Sequence, residues 1–217
     1  MLKNNSNTNL TPAYGKLIRL IKGFPDFDFS FIKPVRKKAV ELLNLKSGNR
    51  VIDAGCGPGG SFPFLLEKTG ISGEIIGIEI SPHIIQNTEN RIKKNHWENI
   101  KIINSAAKDV KLTGKYDALL MFAAPDVYAS ADSMNNLTHY LNDGARIAFF
   151  GAKISTHSFG RMLNPFLKLM FKLSFSTTPP PENQPWSKTS KWVNIDFVKE
   201  YFLGTMFLAS GTIKQDQ

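Results

Sequence analysis

A single cysteine, Cys56, stands in 217 residues. That excludes an intrachain disulfide framework and any zinc site built mainly on thiolates. The four histidines, His83, His96, His139 and His157, show no H-x-x-x-H or similar spacing, so the sequence offers no metal site. No uncharged apolar run approaches the roughly 18 residues that a membrane span needs. The opening residues, MLKNNSNTNLT, lack the apolar region of a secretory signal. These absences set the expectation of a cytoplasmic protein, with a membrane-peripheral location left open. Apolar residues make up 42% and charged residues 21%, a globular composition and not a disordered one.

The net charge is +9, and it is unevenly spread: +7 over residues 1–50, −2 over 51–150 and +4 over 151–217. A uniformly basic chain would suggest nucleic acid. A near-neutral middle between basic flanks suggests an anionic substrate or surface, such as an anionic membrane met peripherally, with a merely solvated surface as the alternative.

Residues 1–33 read as a polar tail, a short amphipathic helix around Leu17–Ile21 and an irregular aromatic stretch, together an N-terminal tail and cap segment. From Pro34 onward helices and short apolar strands alternate. A helix from Pro34 carries Val35, Ala39, Val40, Leu42 and Leu43 and breaks at Lys46-Ser47-Gly48. Strands are expected at Val51-Ile52, Ile75–Ile80, Ile100–Asn104, Ala118–Phe122 and Ala145–Phe150. Helices are expected at Phe62–Lys68, Pro82–Lys94 and 131–141. This spacing predicts βαβ units and a parallel sheet buried on both faces. Residues 194–211 read as two further strands around Leu203-Gly204.

The decisive segment runs from Val51 to Gly60. A buried strand delivers the carboxylate of Asp53 and then Gly55, Cys56, Gly57, Pro58, Gly59 and Gly60. The glycines let a ligand approach bare backbone at the mouth of a helix. The second strand ends in Glu79, a carboxylate able to accept both hydroxyls of a ribose. Gly55, Gly57 and Gly60 also satisfy the G-x-G-x-x-G string of NAD(P)-dependent Rossmann oxidoreductases. Asp53 separates the two readings, because a carboxylate there would repel a pyrophosphate but suits an ammonium. S-adenosyl-L-methionine carries an ammonium, a sulfonium and an adenosine. The chain also lacks the second domain that usually holds a dehydrogenase's substrate.

With these residues in place, the stretch 34–152 resembles a class I S-adenosylmethionine-dependent methyltransferase. Asp53-x-Gly55-x-Gly57-x-Gly59 matches the family's first motif, and Glu79 its ribose acid. Tyr116–Leu120 matches the start of the fourth strand, and Leu141–Arg146 the turn into the fifth. The resemblance implies a Rossmann-like α/β fold of seven strands, mostly parallel, with helices on both faces and a C-terminal antiparallel hairpin. The methyltransferase domain would span 34–217, with 158–192 as a lid or insert. It also implies a donor site: Asp53 with the loop of Gly55, Cys56, Gly57 and Gly59 at the methionine end, Glu79 on the ribose and Ile80 packed on the adenine. Ala106 stands where many members carry an acid for the adenine amine. Backbone near Ala106 and Ala107, or Asp109 in a shifted register, takes that role here. Phe122 would line the floor. Tyr14 and Arg36 are candidates to close the methionine end, with ordinary packing favoured for Arg36.

Gln184-Pro185-Trp186, Tyr201–Phe207 and Ala209-Ser210-Gly211 resemble a bacterial small-molecule and lipid methyltransferase subgroup. The acceptor is accordingly expected to be a small molecule or lipid. Ala123-Ala124-Pro125-Asp126 is not the Asn/Asp-Pro-Pro-Tyr box of amino-methylating nucleic-acid enzymes, which disfavours a nucleic acid. A non-catalytic donor-binding scaffold at a membrane surface remains the other alternative. Cys56 is read as a small turn residue and His157 as a surface residue. The apolar run 158–175 has two readings: an outer helix covering the sheet, which is favoured, or an apolar lid over a lipophilic acceptor with Arg161, Lys168 and Lys172 near phosphates. No catalytic base and no oligomeric state can be named from the sequence.

Overall fold

The computed structural model describes residues 32–174 and 182–214. Tyr14, the helix around 17–21, the aromatic stretch up to Phe31, Phe175 and Pro179–Pro181 lie outside the described residues, as do the side chains at 170–174.

In chain order the elements are α1 (Lys33–Glu41), β1 (Arg50–Ala54), α2 (Phe62–Thr69), β2 (Glu74–Glu79), α3 (Pro82–Lys94), β3 (Ile100–Asn104), β4 (Tyr116–Phe122), α4 (Pro125–Tyr128), α5 (Ala131–His139), β5 (Leu141–Ala152), α6 (Ser158–Arg161), α7 (Asn164–Ser174), a 3₁₀ turn (Pro185–Lys191), β6 (Val193–Tyr201) and β7 (Met206–Ile213). Among the described residues they form one seven-stranded sheet of order β3-β2-β1-β4-β5-β7-β6. The β1–β2, β2–β3, β1–β4 and β4–β5 pairs are parallel, and β7 runs antiparallel to both β5 and β6.

Local chemistry sets the helix starts. α1, α2, α3 and α4 each carry a proline in the first turn, where its missing N–H costs nothing and its φ is already helical. α5 is capped instead by Ser130, whose Oγ accepts the Ser133 N–H at 3.2 Å. The central strands are apolar without alternation, as expected of a sheet covered on both faces. Val51 and Leu120 enter the core under α1 and α2, while their neighbours Ile52 and Leu119 enter the opposite one.

Two expected boundaries move. α1 ends at Glu41, short of Gly48, and Asn44 then takes φ +51°. The strand expected at Ala145–Phe150 begins at Leu141 and runs to Ala152, so α5 stops at His139. A register break between Tyr116 and Ala118 absorbs the extra residues of β5.

Two polar clasps hold the ends of the sheet. At its amino edge Arg50 bonds Glu74 through Nε at 2.9 Å and Nη2 at 2.7 Å, and lies 4.3 Å over the Tyr116 ring. Near the hairpin Arg146 pairs with Asp196 and reaches the Leu42 carbonyl at 3.2 Å, tying α1 to β6.

Candidate functional site

The carboxyl ends of β1, β2, β4 and β5 converge on the glycine corner. Gly55 and Cys56 both donate their N–H to the Ile78 carbonyl, at 2.8 and 3.1 Å, which fixes the turn against β2. Gly57 takes φ +52°, and a Cβ there would meet nothing within 4 Å, so its backbone faces open space.

Asp53 lies opposite Gly77 in β2 and Leu120 in β4. Its side chain is the anomaly of the site. The residue is 1% exposed, and neither carboxyl oxygen has a hydrogen-bond partner among the described residues. Burial pushes its pKa up to about 7, the Arg36 charge pulling it down and the Glu79 charge adding to the rise. A buried carboxyl without a partner is costly, and native structures keep such groups where a ligand supplies the missing donor.

Arg36 belongs to this corner rather than to ordinary packing alone. It reaches from α1 so that its guanidinium lies 4.6 Å from the Phe122 ring centroid and occupies the space a Cβ on Gly60 would need. Phe122 itself is buried and stacks on Phe150, centroids 4.5 Å apart.

Glu79 is buried at the end of β2 and bridges two turns. Its Oε1 accepts the Ser81 N–H at 2.9 Å and its Oε2 the Gly57 N–H at 3.2 Å. Burial raises its pKa, these N–H groups oppose the rise, and the charge of Asp126 on α4 adds to it. Helix α3 supports the same loop through residues that no motif singles out. Thr88 donates to the Gly57 carbonyl at 2.9 Å, and Arg91 to the Pro58 carbonyl at 3.1 Å. Burial, then the charges of Asp53 and Glu79, push the Cys56 thiol pKa well above its ordinary value, which leaves it a poor nucleophile.

On the β3 side Asn104 donates to the carbonyls of Glu79 and Ile80, both at 3.0 Å, and so holds the turn that presents the half-exposed Ile80. Ala106 and Ala107 follow β3 as expected, but their carbonyls are committed. That of Ala106 accepts the Asp109 and Val110 N–H groups, each at 3.0 Å, and that of Ala107 accepts Asn136 at 2.9 Å. Asp109 is exposed. Beyond β4, Ala123 sits at φ +60°, an unusual conformation for alanine and one that recurs at functional corners.

A polar cluster that the sequence reading missed lies beyond β5. Lys153 is 1% exposed; its Nζ meets Glu200 Oε1 at 2.7 Å and lies 5.9 Å from the Trp186 ring. The other Glu200 oxygen meets His157 Nε2 at 3.0 Å. Burial acts to raise the Glu200 pKa, but the bonds and charges of Lys153 and His157 leave it lowered overall. The missing signal was a lysine directly after an apolar strand, which sequence alone reads as a solvated end.

The favoured reading of 158–175 as an outer core helix is corrected over 159–169, the part whose side chains are described. Phe159 and Met162 are each 78% exposed and Phe166 61%, with Leu163 and Leu169 also exposed. Those side chains cover no part of the sheet. Among the described residues no group of three His, Cys, Asp or Glu side chains is placed to hold a metal.

The orphaned Asp53 carboxyl, the open backbone at Gly57 and the carboxylate of Glu79 fit a ligand bearing an ammonium group and a ribose diol. Fold and corner together define a nucleoside-binding α/β protein of the methyltransferase type. The chain belongs to the family described as "Methyltransferase domain", whose match covers residues 45–159. That membership decides against the dinucleotide reading of Gly55, Gly57 and Gly60. The chain is 28% identical over 122 residues to aklanonic acid methyltransferase of a Streptomyces species, a match covering 55% of each chain. It is 24% identical over 174 residues to the demethylmenaquinone methyltransferase of Staphylococcus saprophyticus, covering 79% of this chain and 68% of that one. The matched part is thus little more than half of the first relative and about two thirds of the second. The N-methyltransferase NodS of Bradyrhizobium japonicum, solved with S-adenosyl-L-homocysteine, shares the fold at TM-score 0.66. That match covers 94% of this chain and 100% of that one at 12% identity.

Proposed function

We propose that this protein transfers a methyl group from S-adenosyl-L-methionine to a small, lipophilic acceptor. The single observation that carries the donor is the buried carboxyl of Asp53, without a hydrogen-bond partner among the described residues, beside the open glycine loop. When bound, the donor supplies an electrophilic methyl carbon on a sulfonium.

The chain's own residues would then bind and align. Asp53 would accept the ammonium group, with Gly55, Cys56, Gly57 and Gly59 forming the backbone cradle. Glu79 would take the ribose hydroxyls on the lone pairs left beside its bonds to Ser81 and Gly57. Ile80 would cover the adenine, and backbone N–H groups near Ala106 and Ala107 would meet its edge. Phe122 would floor the pocket. The protein mainly has to hold the acceptor against the methyl carbon, and alignment of this kind supplies about 7–11 kcal/mol.

The acceptor class is supported by the relatives, which are named for aklanonic acid and demethylmenaquinone. It is also supported by the exposed apolar side chains that follow β5. The test is transfer of labelled methyl from S-adenosylmethionine into a fractionated cell extract. The expected result is label in the organic-soluble fraction that depends on Asp53. Label only in the aqueous or nucleic-acid fraction contradicts the acceptor class.

A further inference from the structure

Five large apolar side chains between Phe159 and Leu169 are exposed on the described surface. Phe159 lies on α6, Met162 caps its end and Leu163 stands in the turn that follows, while Phe166 and Leu169, three residues apart, share one side of α7; all five are exposed. The hairpin between β6 and β7 adds to them. Its tip is Phe202-Leu203, with both residues at positive φ, +50° and +57°, and Leu203 61% exposed. Turns of this shape favour Asn and Gly. Bulky side chains at these two positions are strained locally.

The two pieces are joined. The Leu203 carbonyl accepts the Ser155 hydroxyl at 2.7 Å and fills the space beside Gly160, so the hairpin tip is braced on α6. Charge follows the same geography. No Asp or Glu occurs between Asp143 and Glu182. Arg161 and Lys168, on the helices that carry the patch, are exposed. Among the described residues no helix is long and apolar enough to cross a membrane, so this face would lie on a bilayer and not span it.

We propose that α6, α7 and the 202–203 hairpin tip form a docking face for an anionic lipid bilayer. The apolar side chains enter the acyl boundary, and Arg161 and Lys168 meet the headgroup phosphates. The face leaves the sheet at the carboxyl end of β5, where Phe150 pairs in register with Phe122 at the floor of the donor corner. It would therefore deliver a bilayer-dissolved acceptor to that corner. In this respect the proposal rests on the lipophilic-acceptor reading.

The experiment floats the full chain with phosphatidylcholine vesicles, with and without phosphatidylglycerol, at low and high salt. Three proteins are compared: the natural chain, Phe159→Ser with Phe166→Ser, and Arg161→Gln with Lys168→Gln. The expected result is binding to phosphatidylglycerol vesicles at low salt, lost at high salt. The charge variant should bind about thirtyfold more weakly and the apolar variant at least about tenfold more weakly. Each should keep the natural affinity for S-adenosyl-L-homocysteine, measured by calorimetry. If the apolar variant loses that affinity as well, it is misfolded and the charge variant decides. Absence of flotation at low salt overturns the proposal, and so does flotation of the charge variant equal to the natural chain. Self-association abolished by the apolar substitutions, without vesicle binding, assigns the face to a second copy and also overturns it. Vesicle binding without donor binding would retain the docking face and refute the methyltransferase reading.

Discussion

Glu79 Oε2 accepts the backbone N–H of Gly57 at 3.2 Å, so the expected ribose acid also clamps the glycine loop. The proposed ribose contact and the loop geometry would therefore share one side chain. Glu79→Gln leaves a single side-chain oxygen for the two N–H groups of Gly57 and Ser81, while Glu79→Ala leaves none. Hydrogen bonds to a charged group contribute about 1.5–3 kcal/mol. Affinity for S-adenosyl-L-homocysteine should fall about tenfold or more in the glutamine variant and further in alanine, read by calorimetry.

Asp53 makes the unliganded protein pH-sensitive. Its folded pKa of about 7 lies above the ordinary 3.8, so the folded state holds the proton between these values and the unfolded state does not. Stability from this group is therefore full below about pH 4 and lost as pH rises through 7. The loss is on the order of 4 kcal/mol. Thermal melts should show Asp53→Asn more stable than the natural chain at pH 8 and little different near pH 4. Binding of a cationic ligand has the opposite sign. It should strengthen from pH 6 to pH 8 and release a proton near pH 6.

Gly60→Ala tests the place of Arg36. The new methyl would displace the guanidinium from above Phe122. Removing that charge should move the pH midpoint of ligand binding upward, because Arg36 holds the Asp53 pKa down. The stability cost should stay near 1 kcal/mol, since Gly60 is not at positive φ and a flexible side chain can move aside.

The succession of strands along the chain and the glycine turn after Asp53 were legible because both are local. Proline in first turns, apolar runs of strand length and the Asp53–Gly60 corner each have a short-range cause. What was not legible depends on partners distant in sequence. Thr88 and Arg91 look like ordinary helix residues until α3 brings them to Gly57 and Pro58. Lys153 reads as solvated until Glu200, in another strand, buries and pairs it. The run from Phe159 to Leu169 has the composition of a core helix, and only the fold shows that Phe159, Met162, Leu163, Phe166 and Leu169 are exposed.

The buried Lys153 pairs with the part-exposed Glu200, and loss of the pair should be asymmetric. Glu200→Ala strands the lysine charge inside the protein and should cost about 3 kcal/mol. Adding Lys153→Met should recover most of that loss, because no buried charge then remains. Denaturant unfolding of the two single variants and the double variant completes the cycle.

The most direct measurement is calorimetric titration of the natural chain and Asp53→Asn with S-adenosyl-L-homocysteine at pH 8, with NAD as the control ligand. The expected outcome is saturable binding of S-adenosyl-L-homocysteine to the natural chain, at least about tenfold weaker in the variant, and no binding of NAD. Equal affinity in both proteins, or binding of NAD alone, contradicts the account.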